Sequence, residues 1–285
     1  MANVLIYENE KGLSVELSTK KPFLLQKFDG FGSVKNNIST FKSPFQDGAT
    51  KQNSTLDLRD LSLEGCILAY NKKDMMEYRA LLIRAFNPKY KGVLTYKYDG
   101  GEKQILCEVE EAPIFPHGNS YFTQTFNINL LCLNPFWLDT FVTGEEIISW
   151  IGGAAFPISF PISFATKGET KKNIINVGDV ETPIEIIFKG PASNPKITNL
   201  LTGEFIRVKK SLTADETLII NTEFGNKKVE IFNVDGSKTN AFNYIDLNST
   251  FFQLQVGDNV LEYSSENGID PSSVSIKYKN RYIGV

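Results

Sequence analysis

The sequence predicts an all-β protein with one short helix, divided into two domains. Three observations carry that prediction. Phe and Tyr are abundant, at 21 and 11 of 285 residues. Short aromatic and β-branched runs broken by Gly, Asn and Asp recur along almost the whole chain. One central stretch, residues 121–164, concentrates Gly and Pro yet stays apolar, which suits a stiff, packed connection better than a solvated linker.

That stretch begins as a strand, with Phe122, Phe126, Ile128, Leu130 and Cys132 on one side of a two-residue period and Tyr121, Thr123, Thr125, Asn127 and Asn129 on the other. Asn134-Pro135 ends it, because proline has no N–H for a ladder. Phe136 and Trp137 follow, then a polar patch at 143–146, Trp150, Gly152-Gly153 and a doubled tetrapeptide, Pro-Ile-Ser-Phe at 157 and again at 161. The expected division is a first domain over residues 1–141, a packed hinge over 142–164 and a second domain over 165–285. Trp137 is the expected core anchor of the seam.

In the first domain, residues 3–7 and 13–17 predict a hairpin, and residues 23–28 a third strand ending at the turn pairs Asp29-Gly30 and Phe31-Gly32. Residues 33–55 are polar and contain Pro44 and Asp47-Gly48, so they form either a surface loop or an arm that orders against a partner. Strands are expected at 56–63 and 65–70. Residues 74–86 are the one helix: Asp74 is placed as N-cap with Glu77 completing a capping box, Met75, Tyr78, Leu82 and Phe86 share a face, and Asn87-Pro88 stops it. A single amphipathic helix among strands plugs an open end or face of a barrel. Residues 92–98 and 103–109 flank Asp99-Gly100-Gly101, a strong hairpin signal.

The second half has no helix. Strands are expected at 174–177 and 183–188 as a pair around Gly178-Asp179, then at 197–201, 204–208, 218–221, 228–232, 244–247, 251–256, 260–263 and 274–278, with a turn at Asn267-Gly268. Short strands at near-regular spacing predict a sandwich of antiparallel sheets.

The totals narrow the function. A net charge of −3 and pI near 5.5 argue against nucleic acid as the main partner. No apolar run approaches the roughly 20 residues of a membrane helix, and the opening residues do not resemble a signal peptide. Cys66, Cys107 and Cys132, an odd count at wide spacing, predict reduced thiols made in the cytosol and not a disulfide framework. His117 is the single histidine, and nothing nominates a nucleophile or orienting group for it. No Cys-x-x-Cys, phosphate-binding glycine loop or carboxylate pair stands out. No catalytic, cofactor or metal residue is therefore nominated, and the expectation is an interaction or scaffold protein, not an enzyme.

Three stretches add an ordered pattern: RALLIRAFNP at 79–88 followed by a hairpin; LNPFWLD at 133–139; and NVGDVETPIEIIFKGPASNPKITNLLTGE at 176–204, with SIKYKNRYIGV closing the chain at 275–285. In this the chain resembles the siphophage-type distal tail proteins of phages and prophages of Gram-positive hosts. The resemblance implies an N-terminal split β-barrel with one helix, a C-terminal galectin-like β-sandwich, and six copies in a ring. It also implies a virion protein at the distal end of the tail, assembled in the host cytoplasm. The implied partners are the tail tube protein, the tail-associated hub protein and receptor-binding proteins, with no membrane and no specific nucleic acid; DNA passes through the lumen. The alternative is a carbohydrate-binding module contacting the host cell wall. The second domain has no histidine, and both tryptophans lie at or before the seam, so it lacks the His, Asn, Arg and Trp constellation of galectins.

Overall fold

The computed structural model describes residues 3–32, 34–116, 120–148, 150–151, 166–167, 170–266 and 273–285. His117, Gly152-Gly153, the doubled tetrapeptide with Phe156, Phe160 and Phe164, the Asn267-Gly268 turn and the Trp150 side chain lie outside that description. The chain forms two compact units, Met1–Thr140 with Tyr282–Val285, and Phe141–Arg281.

In the first unit the strands are β1 (Val4–Asn9), β2 (Ser14–Leu17), β3 (Phe23–Asp29), β4 (Asn36–Phe41), β5 (Thr50–Leu56), β6 (Arg59–Leu68), β7 (Lys91–Tyr98), β8 (Gly101–Val109), β9 (Thr123–Cys132) and β10 (Trp137–Asp139), with helix α1 (Lys72–Ala85) between β6 and β7. One antiparallel sheet runs β2-β1-β7-β8-β9-β6-β3, with β10 attached to β8. Its edge strands meet at a single bridge, Ser18 to Leu24, which makes the sheet a split barrel. Alternation sets the inner face: Phe126, Ile128, Leu130 and Cys132 of β9 are all buried. Phe122, expected on that face, precedes the strand and is exposed.

The helix fills the barrel with Met75, Leu82, Ala85 and Phe86, and Phe86 stacks on Tyr7 at 4.1 Å between centroids. Its start differs from the sequence expectation. Asn71, not Asp74, is the N-cap: its side chain accepts from the Asp74 N–H at 2.9 Å and donates to the Asp74 carboxylate at 3.0 Å. Asn also satisfies the orphan N–H groups of a first turn, and Asp74 then adds a negative charge there. At the other end the buried Asn9 side chain donates to the Ala85 carbonyl at 3.0 Å, so the first hairpin closes the helix. The Asp99-Gly100 turn forms as expected, with Tyr98 opposite Gly101.

The second unit contains β11 (Thr143–Ile148), β12 (Lys171–Asn176), β13 (Ile184–Lys189), β14 (Lys196–Asn199), β15 (Phe205–Arg207), β16 (Thr217–Asn221), β17 (Lys228–Phe232), β18 (Lys238–Asn240), β19 (Gly257–Ser264) and β20 (Ser273–Tyr278). They make a six-stranded sheet, β11-β20-β13-β16-β17-β18, and a four-stranded sheet, β12-β19-β14-β15. Ile186, Phe188, Leu218, Ile220 and Ile276 from the first share one core with Ile174, Ile197, Ile206 and Leu261 from the second. This is the sandwich the strand spacing predicts.

Several local expectations change. The two runs around Gly178-Asp179 do not pair: β12 joins β19 and β13 lies between β16 and β20. The buried Asn176 side chain forces the change of sheet, accepting from Gly178 N–H at 2.9 Å and donating to the carbonyls of Val180 and Leu254. The strand expected at 244–247 is a 3₁₀ turn, Phe242–Tyr244, followed by one bridge at Ile245. The strand expected at 251–256 is irregular apart from the Thr182–Leu254 bridge, because the buried Asn259 side chain takes up the Gln255 N–H and carbonyl at 2.9 and 2.7 Å. The start of the expected hinge, β11, is an edge strand of the second unit. The last four residues, expected in the second domain, belong to the first unit, where the Val285 N–H reaches the Phe31 carbonyl at 3.4 Å and Lys103 lies over the Tyr282 ring.

Candidate functional site

The most distinctive feature outside the cores is an arm. The polar segment 34–55 is neither a loose loop nor part of the barrel sheet: β4 and β5 form a separate two-stranded sheet paired from Asn36–Leu56 to Phe41–Thr50. Every residue of β4 is exposed. Its turn is held by the Gln46 side chain, which accepts from the Ser43 N–H at 3.0 Å and donates to Thr50 at 3.2 Å. Ile38 and Phe41 are exposed along the arm, and Phe45 at its tip is fully exposed with a positive φ of 64°, a conformation non-glycine residues rarely hold. Two strands by themselves are marginal in water. Sequence reading missed the strands because they are polar on both faces and leave no alternation to detect.

The root of the arm is rigid. Arg59, at the start of β6, is 1% exposed. Its guanidinium donates to the carbonyls of Gly30, Phe31 and Pro135 at 2.6, 3.1 and 2.8 Å and to that of Ile283. Burial pushes its pKa below the usual value, with Cys132 acting the other way. One side chain thus ties the strand entering the arm, the strand leaving it, the NPFW segment and the C-terminal tail. Gly30 lies in the left-handed region (φ +84°), and a Cβ there would meet the Asp60 carbonyl at 1.9 Å, so only glycine fits. Beneath it Trp137, fully buried, donates its indole N–H to the Phe31 carbonyl at 3.1 Å, amid Phe28, Phe31 and Tyr96. Beside β10 Lys103 donates to Asp139 at 2.6 Å; burial opposes its charge, but Asp139 and Tyr282 outweigh it and leave the pKa raised.

The second unit presents aromatic rings paired with lysines. Phe242 and Phe251 stack at 5.6 Å, with Lys227 over Phe251, Lys210 over Tyr244 and Lys196 over Phe205. Lys209, Lys210 and Lys227 therefore all have structural partners. Asp246 anchors the adjoining loop: it accepts from the Asn248 N–H at 3.1 Å, from Arg207 Nε at 2.8 Å, and lies 3.4 Å from Lys209. Those contacts, the backbone one first, hold its pKa at about 2. A carboxyl depressed on folding stabilises the fold fully above its unfolded value of about 4, and that contribution is lost as pH falls through the folded value. Asp246→Asn should flatten the decline of stability between about pH 4 and 2; urea titrations across that range with an unchanged slope would contradict this.

Among the described residues no group of three or more His, Cys, Asp or Glu is placed to hold a metal, and no helix is long and apolar enough to cross a membrane. Trp137 is enclosed in the core and offers no face to a sugar.

Comparison with known proteins places these features. Residues 10–132 match the family model described as phage tail protein RIFT-related domain, and residues 177–282 match that of the siphovirus-type tail component, C-terminal domain. No curated protein matches the sequence. Among solved structures, SPP1 Dit, described as a paradigm of the hub adsorption apparatus in Gram-positive infecting phages, aligns with a TM-score of 0.69 at 12% identity, covering 97% of this chain and 98% of that one. A chain of the phage P2 baseplate in its activated conformation with calcium aligns with a TM-score of 0.56 at 13% identity over the full length of both, and a chain of the strontium form at 0.55. At such identities the structural likeness speaks for the fold, and the two family models for the lineage. With both domains matched in order on a barrel-plus-sandwich architecture, the chain belongs to the siphophage-type distal tail proteins, structural components of the phage tail.

Proposed function

We propose that six copies of this chain close into a ring at the distal end of the tail, joining the tail tube protein to the tail-associated hub protein and receptor-binding proteins. The arm carries the reading. A two-stranded ribbon with exposed Ile38, Phe41 and Phe45 gains little by itself, but laid on the next subunit it buries those side chains and pairs its edges. A head-to-tail contact of that kind uses two different surfaces and closes when the rotation divides the circle. The rigid root at Arg59 fits an element that must hold its direction. In this reading the chain is not an enzyme, the ring lumen passes DNA without sequence-specific contact, and assembly takes place in the host cytoplasm.

Mass photometry of the purified protein, with and without the tube protein, is the direct test. A closed cyclic species is expected; a strict monomer at every concentration in both conditions would sink the ring. Replacing residues 36–56 with a short Gly-Ser linker should weaken the oligomer while leaving the circular dichroism spectrum of the remaining strands in place. Equal oligomer stability in that variant would remove the arm from the interface.

A second reading, a sandwich that contacts cell-wall carbohydrate, has the exposed Phe242, stacked on half-buried Phe251, and Tyr244 in its favour. Binding of host polysaccharide on a glycan array, lost in Phe242→Ala, is its test.

A further inference from the structure

Two of the three cysteines, far apart in sequence, are neighbours across the first unit's sheet. β8 and β9 pair through Glu108–Leu131 and Val109–Leu130, so the next partners in the register are Cys107 and Cys132. The Glu110 N–H donates to the Asn129 carbonyl at 3.2 Å. The hydrogen-bonded pairs are therefore 110 with 129 and 108 with 131, and the two cysteines occupy a non-hydrogen-bonded position. The two cysteines lie one step past the last paired residues; in a regular ladder opposed Cα atoms at such a position stand about 4.5 Å apart, inside the roughly 4.4–6.8 Å that a disulfide spans. Both side chains point to the barrel interior, 3% and 0% exposed. The structure records both as free thiols; the Cys107 thiol donates to the Gly92 carbonyl at 3.8 Å, and hydrogen bonding with the Cys132 thiol, then burial, push the Cys107 pKa up. Cys66 has no part in the contact: it pairs across to Thr125 and Leu24.

We propose that Cys107 and Cys132 form a covalent modification site, a cross-strand thiol pair that a low-molecular-weight disulfide converts to an intramolecular disulfide. A cleft of about 190 Å³ is lined by Lys91, Gly92, Leu106, Cys107, Glu108 and Leu133, so Cys107 is the thiol nearer the surface. Cys107 gives up its proton, attacks one sulfur of the oxidant and expels one thiolate. Cys132 then gives up its proton, attacks the Cys107 sulfur of the mixed disulfide and expels the second thiolate. One S–S bond breaks in the oxidant and one forms in the protein. Two electrons pass to the oxidant, and the two protons end on the released small thiols. Arg59, opposite Cys132 in the register, places a cation beside the resolving sulfur. The raised pKa of Cys107 makes the first step slow.

The location gives the bond a purpose. β9 pairs with β6 over ten residue pairs but with β8 over only two, so β8–β9 is a short seam in the barrel sheet. A bond there closes a loop of residues 107–132 and should raise the thermal midpoint by roughly 5–10 °C, from the loop-closure entropy removed from the unfolded chain.

The full-length protein is incubated with oxidised glutathione, and separately refolded from urea in a glutathione redox buffer. Free thiols are then counted by alkylation and mass spectrometry. The expected result is a loss of mass equal to two hydrogen atoms, one remaining thiol at Cys66, a 107–132 cross-linked peptide and a raised midpoint that dithiothreitol reverses. Cys66→Ser should behave the same way, and Cys107→Ser should form no bridge. Three free thiols after both treatments, a bridge that includes Cys66, or stable glutathione adducts in place of a bridge would each overturn the proposal.

Discussion

Replacing Arg59 with methionine should cost the first unit at least about 4 kcal/mol, the largest single effect expected in the molecule. Methionine fills much of the same volume, so little of the loss would come from a cavity. What disappears is the donor set: carbonyls of Gly30, Phe31, Pro135 and Ile283 all lean on one guanidinium. Each hydrogen bond to a charged group contributes about 1.5–3 kcal/mol, and stranding a buried carbonyl costs about 1–3 kcal/mol. These amounts do not add fully, because the acceptors share one donor and can relax together. Arg59→Lys should recover only a small part, since a single ammonium cannot span acceptors arranged around a planar fork. The measurement is the first unit's urea transition by circular dichroism, with limited proteolysis within residues 33–58 as a second readout. A loss below about 1 kcal/mol, with no new cleavage at the arm, would show that the carbonyls find other partners and that the arm has no clasp.

Trp137→Ala should cost about 3–5 kcal/mol. The ring is fully buried against Phe31 at 5.1 Å and Tyr96 at 6.4 Å, and its removal leaves a void and takes one of the donors to the Phe31 carbonyl. That carbonyl is shared with Arg59, so the two substitutions touch one network and the double variant should lose less than the sum. Trp137→Phe restores part of the volume but not the indole N–H, and separates packing from hydrogen bonding. Should Trp137→Ala unfold at nearly the wild-type urea concentration, the seam anchor would have to be sought elsewhere.

Much of the fold was legible in advance because it rests on local rules. The two-residue period of β9 names Phe126, Ile128, Leu130 and Cys132 as core without reference to any partner, and the helix stripe of Met75, Leu82 and Phe86 does the same. Asp99-Gly100 sets its own turn. Local rules also mislead where a side chain overrides them. A strand reading of residues 251–256 ignores that Asn259 can take up the backbone groups of Gln255. Pairing 174–177 with 183–188 assumes that neighbours in sequence are neighbours in a sheet, and Asn176 prevents it. The strands of the arm were invisible for a different reason: a ribbon exposed on both faces has no apolar period, and its strands are defined only by hydrogen bonds to each other.

The sequence by itself determined the class of the protein, its two-part organisation, the helix between β6 and β7 and its family, since each follows from composition, periodicity or an ordered set of short motifs. Tertiary structure alone decided that Arg59 roots an arm, that the last four residues return to the first unit, and that Cys107 faces Cys132. Those relations join residues 25 to 254 positions apart, and periodicity reports which way a side chain points, never which distant segment it will meet.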